Sequence, residues 1–119
     1  MIKETIIKKH INFDNDLNKF DEKLSLNIKG NNILVIGGAG TIGSSYIKQI
    51  LKYKPSKITV VDINENGLTE LTRDLRSSNL LDYNPEYITY PVNLLSETFD
   101  KIFNSDSWQV VANFSAHKH

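Results

Sequence analysis

An α/β fold, with a parallel sheet covered by helices on both faces, is what this 119-residue sequence predicts. Three observations predict it. A glycine-rich turn, Gly37-Gly-Ala-Gly-Thr-Ile-Gly43, closes a short apolar run and opens an amphipathic helical pattern. Strand-like and helix-like segments then alternate to the C-terminus, as in successive βαβ units. An acidic residue, Asp62, closes the second apolar run. Right-handed crossovers order the four strands 3-2-1-4, the first half of a three-layer doubly wound sheet of Rossmann type.

The elements follow in order. Residues 1–31 are polar and charge-rich. In them Ile2, Ile6, Ile7, Ile11, Leu17, Phe20 and Leu24 recur at loosely helical spacing. This predicts an N-terminal helical extension lying on the main domain or on a partner subunit. Gly30 and Asn31 punctuate the chain, and residues 32–119 form the α/β domain, expected to be cut short after its fourth strand. The first strand is Asn32–Ile36. The first helix runs Thr41–Tyr53, with Ile42, Tyr46, Ile47, Ile50 and Leu51 on one face, and Pro55 ends it. The second strand is Lys57–Asp62. The second helix is Glu65–Ser78, capped by Asn64, with Leu68, Leu71 and Leu75 inward. The third strand is Tyr87–Val92, the third helix Ser96–Asn104 with Phe99, Ile102 and Phe103, and the fourth strand Trp108–Phe114.

Composition excludes several classes. Hydrophobic residues make up 39% and charged residues 24%, as in ordinary globular domains. Fourteen basic and fourteen acidic residues cancel, so there is no basic excess to grip nucleic acid. Cysteine is absent, which removes disulfides and thiolate metal sites. No apolar run approaches the roughly 20 residues that span a bilayer. Met1–Lys9 lacks the apolar core of a signal peptide. A cytoplasmic chain without a membrane segment is the expectation.

The glycine turn carries the chemistry. Its spacing fits both Gly37-x-x-Gly40-x-x-Gly43 and Gly38-x-Gly40-x-x-Gly43, and with Ala39 it reads as a dinucleotide fingerprint. Gly37 allows the tight turn out of the strand, Gly40 admits a pyrophosphate close to the backbone, and Gly43 lets the first helix pack closely on the sheet. N–H groups around Thr41 and Ile42 then face the phosphate, aided by the helix dipole. A P-loop is excluded, because Ser44 and Ser45 follow Gly43 where Lys and Ser/Thr are required.

Asp62 lies 19 residues beyond Gly43, where a carboxylate accepts from the ribose hydroxyls and repels a 2′-phosphate. This predicts NAD over NADP, and Ile63 rather than Arg follows it. A strand-end Asp can also cap the next helix, and the two roles coexist. Asn93 is placed either for the adenine edge or as an ordinary turn residue. Ser115 and Ala116 are small enough for the backbone to lie against the nicotinamide ribose and pyrophosphate. His117 and His119 have no apparent third ligand, so no metal is expected. Tyr53-x-x-x-Lys57 matches a dehydrogenase catalytic pair by letter only, since it spans a helix end and contains Pro55. No catalytic residue is assigned.

The turn resembles the Gly-x-x-Gly-x-x-Gly signature of extended short-chain dehydrogenase/reductases. The tail Ser115-Ala-His-Lys-His119 is similar to the Ala-Ala-x-Lys-His segment of polysaccharide-biosynthesis nucleotide-sugar 4,6-dehydratases, including UDP-N-acetylglucosamine 4,6-dehydratases. Asp62-Ile-Asn-Glu-Asn-Gly-Leu resembles that group's junction of second strand and second helix. Ile36 stands where Thr is usual, and Asn113 where His is common. The resemblance covers residues 32–119 and implies a UDP-sugar substrate, an NAD cofactor, a homo-oligomer and a place for Lys118 near the pyrophosphate or substrate. It also implies hydride removal from C4 of the sugar, loss of water across C5 and C6, and return of the hydride to C6. The group's catalytic residues lie beyond the fourth strand. A 4-epimerase portion and a stand-alone NAD-binding regulatory module are the alternatives.

Overall fold

The computed structural model describes residues 4–5 and 27–115. The elements are β1 (Glu4–Thr5), β2 (Asn32–Ile36), α1 (Thr41–Leu51), β3 (Lys57–Val61), α2 (Glu65–Ser77), β4 (Glu86–Tyr90), α3 (Glu97–Asn104) and β5 (Val110–Asn113). All strands pair in parallel, in the order β1-β5-β2-β3-β4. The four strands of the α/β domain therefore take the expected 3-2-1-4 arrangement. The register runs Ile36 beside Val61 on one side and Asn113 on the other.

One expectation is corrected at the N-terminus. Glu4–Thr5, read as part of a helical extension, form a two-residue strand beside Val111 and Ala112. Two residues in register with β5 extend its hydrogen-bond ladder, which a helix could not do. Residues 1–3 and 6–26 of the expected extension lie outside the described residues. Ile28, near the end of that extension, is buried in the core.

Alternation along each strand divides the core into two layers. Ile33, Val35, Ile58, Val60, Val110 and Ala112 face α1 and α2 and pack on Ile47, Ile50, Leu68, Leu71 and Leu75. Leu34, Ile36, Val61 and Val111 face the other way, onto Phe99 and Trp108. Because both faces are covered, the central strands read as continuous apolar runs.

Local chemistry sets the helix ends. Asn64 Oδ1 accepts the Gly67 N–H and starts α2, and Ser96 Oγ accepts the Phe99 N–H and starts α3. Helix α1 stops at Leu51, two residues before the expected Tyr53. The chain turns there through Lys54, at a φ of 58°, into Pro55. Strand β5 is also shorter than expected. Trp108 lies outside it, with its indole N–H donated to Phe103 O at 2.9 Å.

The N-terminal end of the sheet is tied by polar groups. Lys57 Nζ reaches Asp106 at 2.7 Å and Glu86 at 3.7 Å. Asn32 donates Nδ2–H to Ser107 O at 2.7 Å, and its own N–H is accepted by Gln109 Oε1 at 2.6 Å. Lys57 thus sits at the end of the sheet opposite the glycine turn, which settles the Tyr53-x-x-x-Lys57 coincidence structurally.

Two predictions follow from these contacts. Thr59 is 1% exposed, and its Oγ1 has no hydrogen-bond partner among the described residues. Thr59→Val removes an unpaired buried hydroxyl, so urea unfolding should show a gain of about 1 kcal/mol. The Asp106 carboxyl is held below its usual range, first by the hydrogen bond from Lys57 and then by the Ser107 N–H. Its folded value lies below its unfolded one, so its stabilisation exists above about pH 4 and is lost as pH falls through the folded value. Asp106→Asn should therefore cost less than about 1 kcal/mol at pH 7, the group being partly exposed, and the difference should vanish in denaturation at pH 2.

Candidate functional site

The C-terminal ends of β2, β3 and β5 open into a cleft of about 440 Å³. Backbone bonds carry the sheet ladder up to its floor. Gly37 N–H donates to Val61 O at 2.7 Å, Phe114 N–H to Ile36 O at 2.7 Å, and Asp62 N–H to Tyr90 O at 3.2 Å. Gly37, Gly40, Asp62, Asn93 and Ser115, all singled out from the sequence, line this one cleft.

The glycines do different jobs. Gly37 has a φ of 78°, and a Cβ on it would lie 2.7 Å from Ser115 N and 2.8 Å from Phe114 C. A Cβ on Gly38 would strike Val60 and Ile47. On Gly43 it would meet Gly37 O and lie 2.9 Å from Gly38 Cα. Gly43 therefore lets α1 close on the turn itself, rather than on the strands as the sequence suggested. Gly40 is the exception. Its nearest neighbour would be Gly37 O at 3.6 Å, an ordinary contact. The fold does not need glycine there.

Helix α1 begins at this open position. Gly40 is its N-cap, without a side-chain cap, and no acidic residue lies in the first turn. The first helical bond joins Ser44 N–H to Gly40 O at 2.9 Å. The N–H groups of Thr41, Ile42 and Gly43 thus have no acceptor within the helix. Together with the helix dipole they form an anion-binding end. Ile42, placed on the buried face by the sequence, is 68% exposed. Gly43 takes the inward position in that turn, one helical turn before Tyr46 and Ile47, and leaves Ile42 at the mouth.

Asp62 is half-buried at the end of β3. Its Oδ2 accepts from Ala39 N–H and its Oδ1 from Asn64 N–H, each at 2.9 Å. The helix cap is Asn64, not Asp62. Asn93 Oδ1 accepts from Leu95 N–H at 2.8 Å, so Asn93 shapes the turn into α3 while lining the cleft. Asn113 Oδ1 accepts from Ser115 N–H at 2.9 Å and steers the chain across Gly37. Phe114 packs on the Tyr46 ring, centroids 5.0 Å apart. Ala116, His117, Lys118 and His119 lie outside the described residues. Among the described residues no cluster of His, Cys, Asp or Glu can hold a metal, and no helix is long and apolar enough to cross a membrane.

The sequence reading missed the apolar wall of the cleft. Ile63, Val92 and Leu94 line it, and Ile63 is 71% exposed. An apolar residue set between polar turn residues just past a strand, as Ile63 is between Asp62 and Asn64, was the available signal.

A parallel sheet, a glycine turn closing on a helix start and an acid ending the next strand define a Rossmann-type domain. The chain belongs to the polysaccharide biosynthesis protein family, whose profile matches residues 33–119. An uncharacterized membrane protein of Methanocaldococcus jannaschii is 46% identical over 52 residues, which are 44% of this chain and 16% of that protein. Among solved structures, Pen from Bacillus thuringiensis superposes with a TM-score of 0.62 at 28% identity, covering 77% of this chain and 27% of Pen. A Haemophilus influenzae protein taken to be a D-mannonate oxidoreductase, with NAD bound, has a TM-score of 0.53 at 20% identity over 69% of this chain and 28% of its own. The chain thus corresponds to roughly a quarter or less of these proteins.

The contrast between glycines predicts opposite outcomes. Gly37→Ala combines strain with a backbone clash and should cost about 2 kcal/mol or more. Gly40→Ala should cost less than about 1 kcal/mol, the loss expected at a helix cap. Urea denaturation of both variants checks this.

Proposed function

We propose that this chain is the cofactor-holding part of a nucleotide-sugar 4,6-dehydratase of surface-polysaccharide biosynthesis, with NAD as cofactor and a UDP-N-acetylhexosamine as substrate of the whole protein. The observation that carries the reading is Gly40. Among the described residues its side-chain space holds nothing closer than Gly37 O at 3.6 Å, beside a helix end whose N–H groups lack acceptors within the helix and across from a carboxylate. That space suits a pyrophosphate better than any packing need of the fold. Family membership and the fold shared with an NAD-bound protein support it. The Ser115-Ala-His-Lys-His119 tail favours the dehydratase over a 4-epimerase.

The residues of the chain divide the work of holding the cofactor. Thr41, Ile42 and Gly43 would donate backbone N–H groups to the pyrophosphate. Asp62 would accept from the ribose hydroxyls with the lone pairs that Ala39 and Asn64 leave unused. Ile63, Val92 and Leu94 offer an apolar wall to the adenine, with the Asn93 amide at its edge. Ser115, next to Gly37, keeps the nicotinamide end unobstructed, and Ala116 and Lys118 would continue along it. When bound, NAD supplies a reversible hydride acceptor, and the chain's contribution is to place it and to set its charge environment.

Titration calorimetry tests the reading. NAD should bind at least about tenfold more tightly than NADP, because the Asp62 carboxylate opposes a 2′-phosphate. Gly40→Ala should weaken NAD by about tenfold or more while leaving the unfolding midpoint nearly unchanged. Equal affinities for the two dinucleotides overturn the NAD preference, and no binding of either overturns the reading as a whole.

A further inference from the structure

The junction between β3 and α2 lies against the glycine turn, and one methyl group fills the space between them. Ala39 donates its N–H to Asp62 Oδ2, and Asp62 Oδ1 takes the N–H of Asn64. Asn64 Oδ1 in turn accepts the Gly67 N–H at 2.9 Å. The turn is thereby fastened to the start of α2 by bonds that involve no ligand. A second observation is independent of these bonds. A Cβ on Gly67 would stand 2.9 Å from Ala39 Cβ and 3.0 Å from Asn64 Nδ2. Both Cβ atoms are fixed to backbone, so two methyl groups cannot share this space without moving the turn or the helix. Gly67 is the third residue of α2 and has no left-handed φ to explain it. Helix propensity alone disfavours glycine at such a place by about 1 kcal/mol relative to alanine.

We infer that Gly67 and Asp62 are positioning residues for the glycine turn. They dock Ala39 on the first turn of α2 and so fix where the N–H groups of Thr41 and Ile42 stand at the start of α1, next to the cleft-lining Gly40. Gly67 is absent from the cleft lining, so its effect on a ligand is transmitted through Ala39. The binding half of this inference rests on the dinucleotide reading above, and the docking half does not.

A double-mutant cycle on the full chain separates the two halves. The proteins are wild type, G67A, A39G and A39G/G67A, with D62N as an independent break of the same contact. Amide hydrogen exchange at Ala39, Gly40 and Asn64 is measured without ligand, and NAD affinity by titration calorimetry. G67A should speed exchange in the turn and weaken NAD, each by about tenfold. Removing the opposing methyl in A39G/G67A should return both toward wild type, a rescue that a general loss of stability would not show. D62N offers a donor where one of two N–H groups needs an acceptor, so exchange should also rise at Ala39 or, with the amide turned over, at Asn64. If G67A does not fold, recovery of folding in A39G/G67A supports the inference, and failure to recover overturns it. Unchanged exchange in both G67A and D62N overturns it too, as does a double variant no better than G67A. If wild type binds no NAD, the dinucleotide reading fails and the exchange data alone decide the docking.

Discussion

The backbone of Gly37 touches two other stretches of chain; the first leaves no room for a side chain on Gly37, and the second none on Gly43. On one side the end of β5 passes, with Ser115 N and Phe114 C where a Cβ would stand. On the other, Gly43 brings the start of α1 against Gly37 O. The left-handed φ of Gly37 turns the chain between the two. The bonds from Gly37 N–H to Val61 O and from Phe114 N–H to Ile36 O then lock β2 between its neighbours up to the cleft floor. Loosening this crossing would separate the helix end from the strand ends, and the cleft exists only where they meet.

The two ends of the sheet are built from different chemistry for that reason. At the N-terminal end, side chains bond to the protein itself: Lys57 to Asp106, Asn32 to Ser107 O, and Gln109 to the Asn32 N–H. At the C-terminal end, backbone N–H groups of α1 have no helical acceptor, and Ile42, Ile63 and Leu95 stand exposed. Apolar side chains left in water beside N–H groups that only solvent satisfies gain free energy when a ligand covers them. Their concentration at the strand ends of a parallel sheet, where such folds bind ligands, is an argument from energetics as well as from topology.

The sequence was most readable where one physical demand acted alone. The apolar runs of β2 and β3 announced strands buried on both faces, and Leu68, Leu71 and Leu75 announced the inner face of α2. Asn64 and Ser96 announced helix starts, and each side chain makes that hydrogen bond. It misled where two demands met in one residue. Ile42 fits the helical period, yet Gly43 must occupy the inner position because the turn lies too close for a side chain. Of Asp62 the sequence left out the bond to Ala39, a contact 23 residues apart that no local pattern reveals. Glu4 and Thr5 carry no strand signal of their own, since what orders them is the free edge of β5.

Within one seven-residue turn the structure distinguishes glycines that the fold requires from one that it does not. Gly37, Gly38 and Gly43 are each enforced by a neighbouring atom closer than a side chain tolerates. For these three, glycine would be needed in a domain that bound nothing. Gly40 meets no such atom, has an ordinary extended φ of −75°, and caps a helix where Ser, Asp or Asn would serve the backbone better. Glycine at the cap therefore forgoes a stabilising side-chain bond. What it gains is bare backbone facing the cleft, ahead of N–H groups that have no acceptor within the helix. A polar cap side chain would occupy one of those N–H groups and the space in front of it. The missing cap and the missing Cβ are thus one feature, and it is the one on which the proposed dinucleotide reading rests.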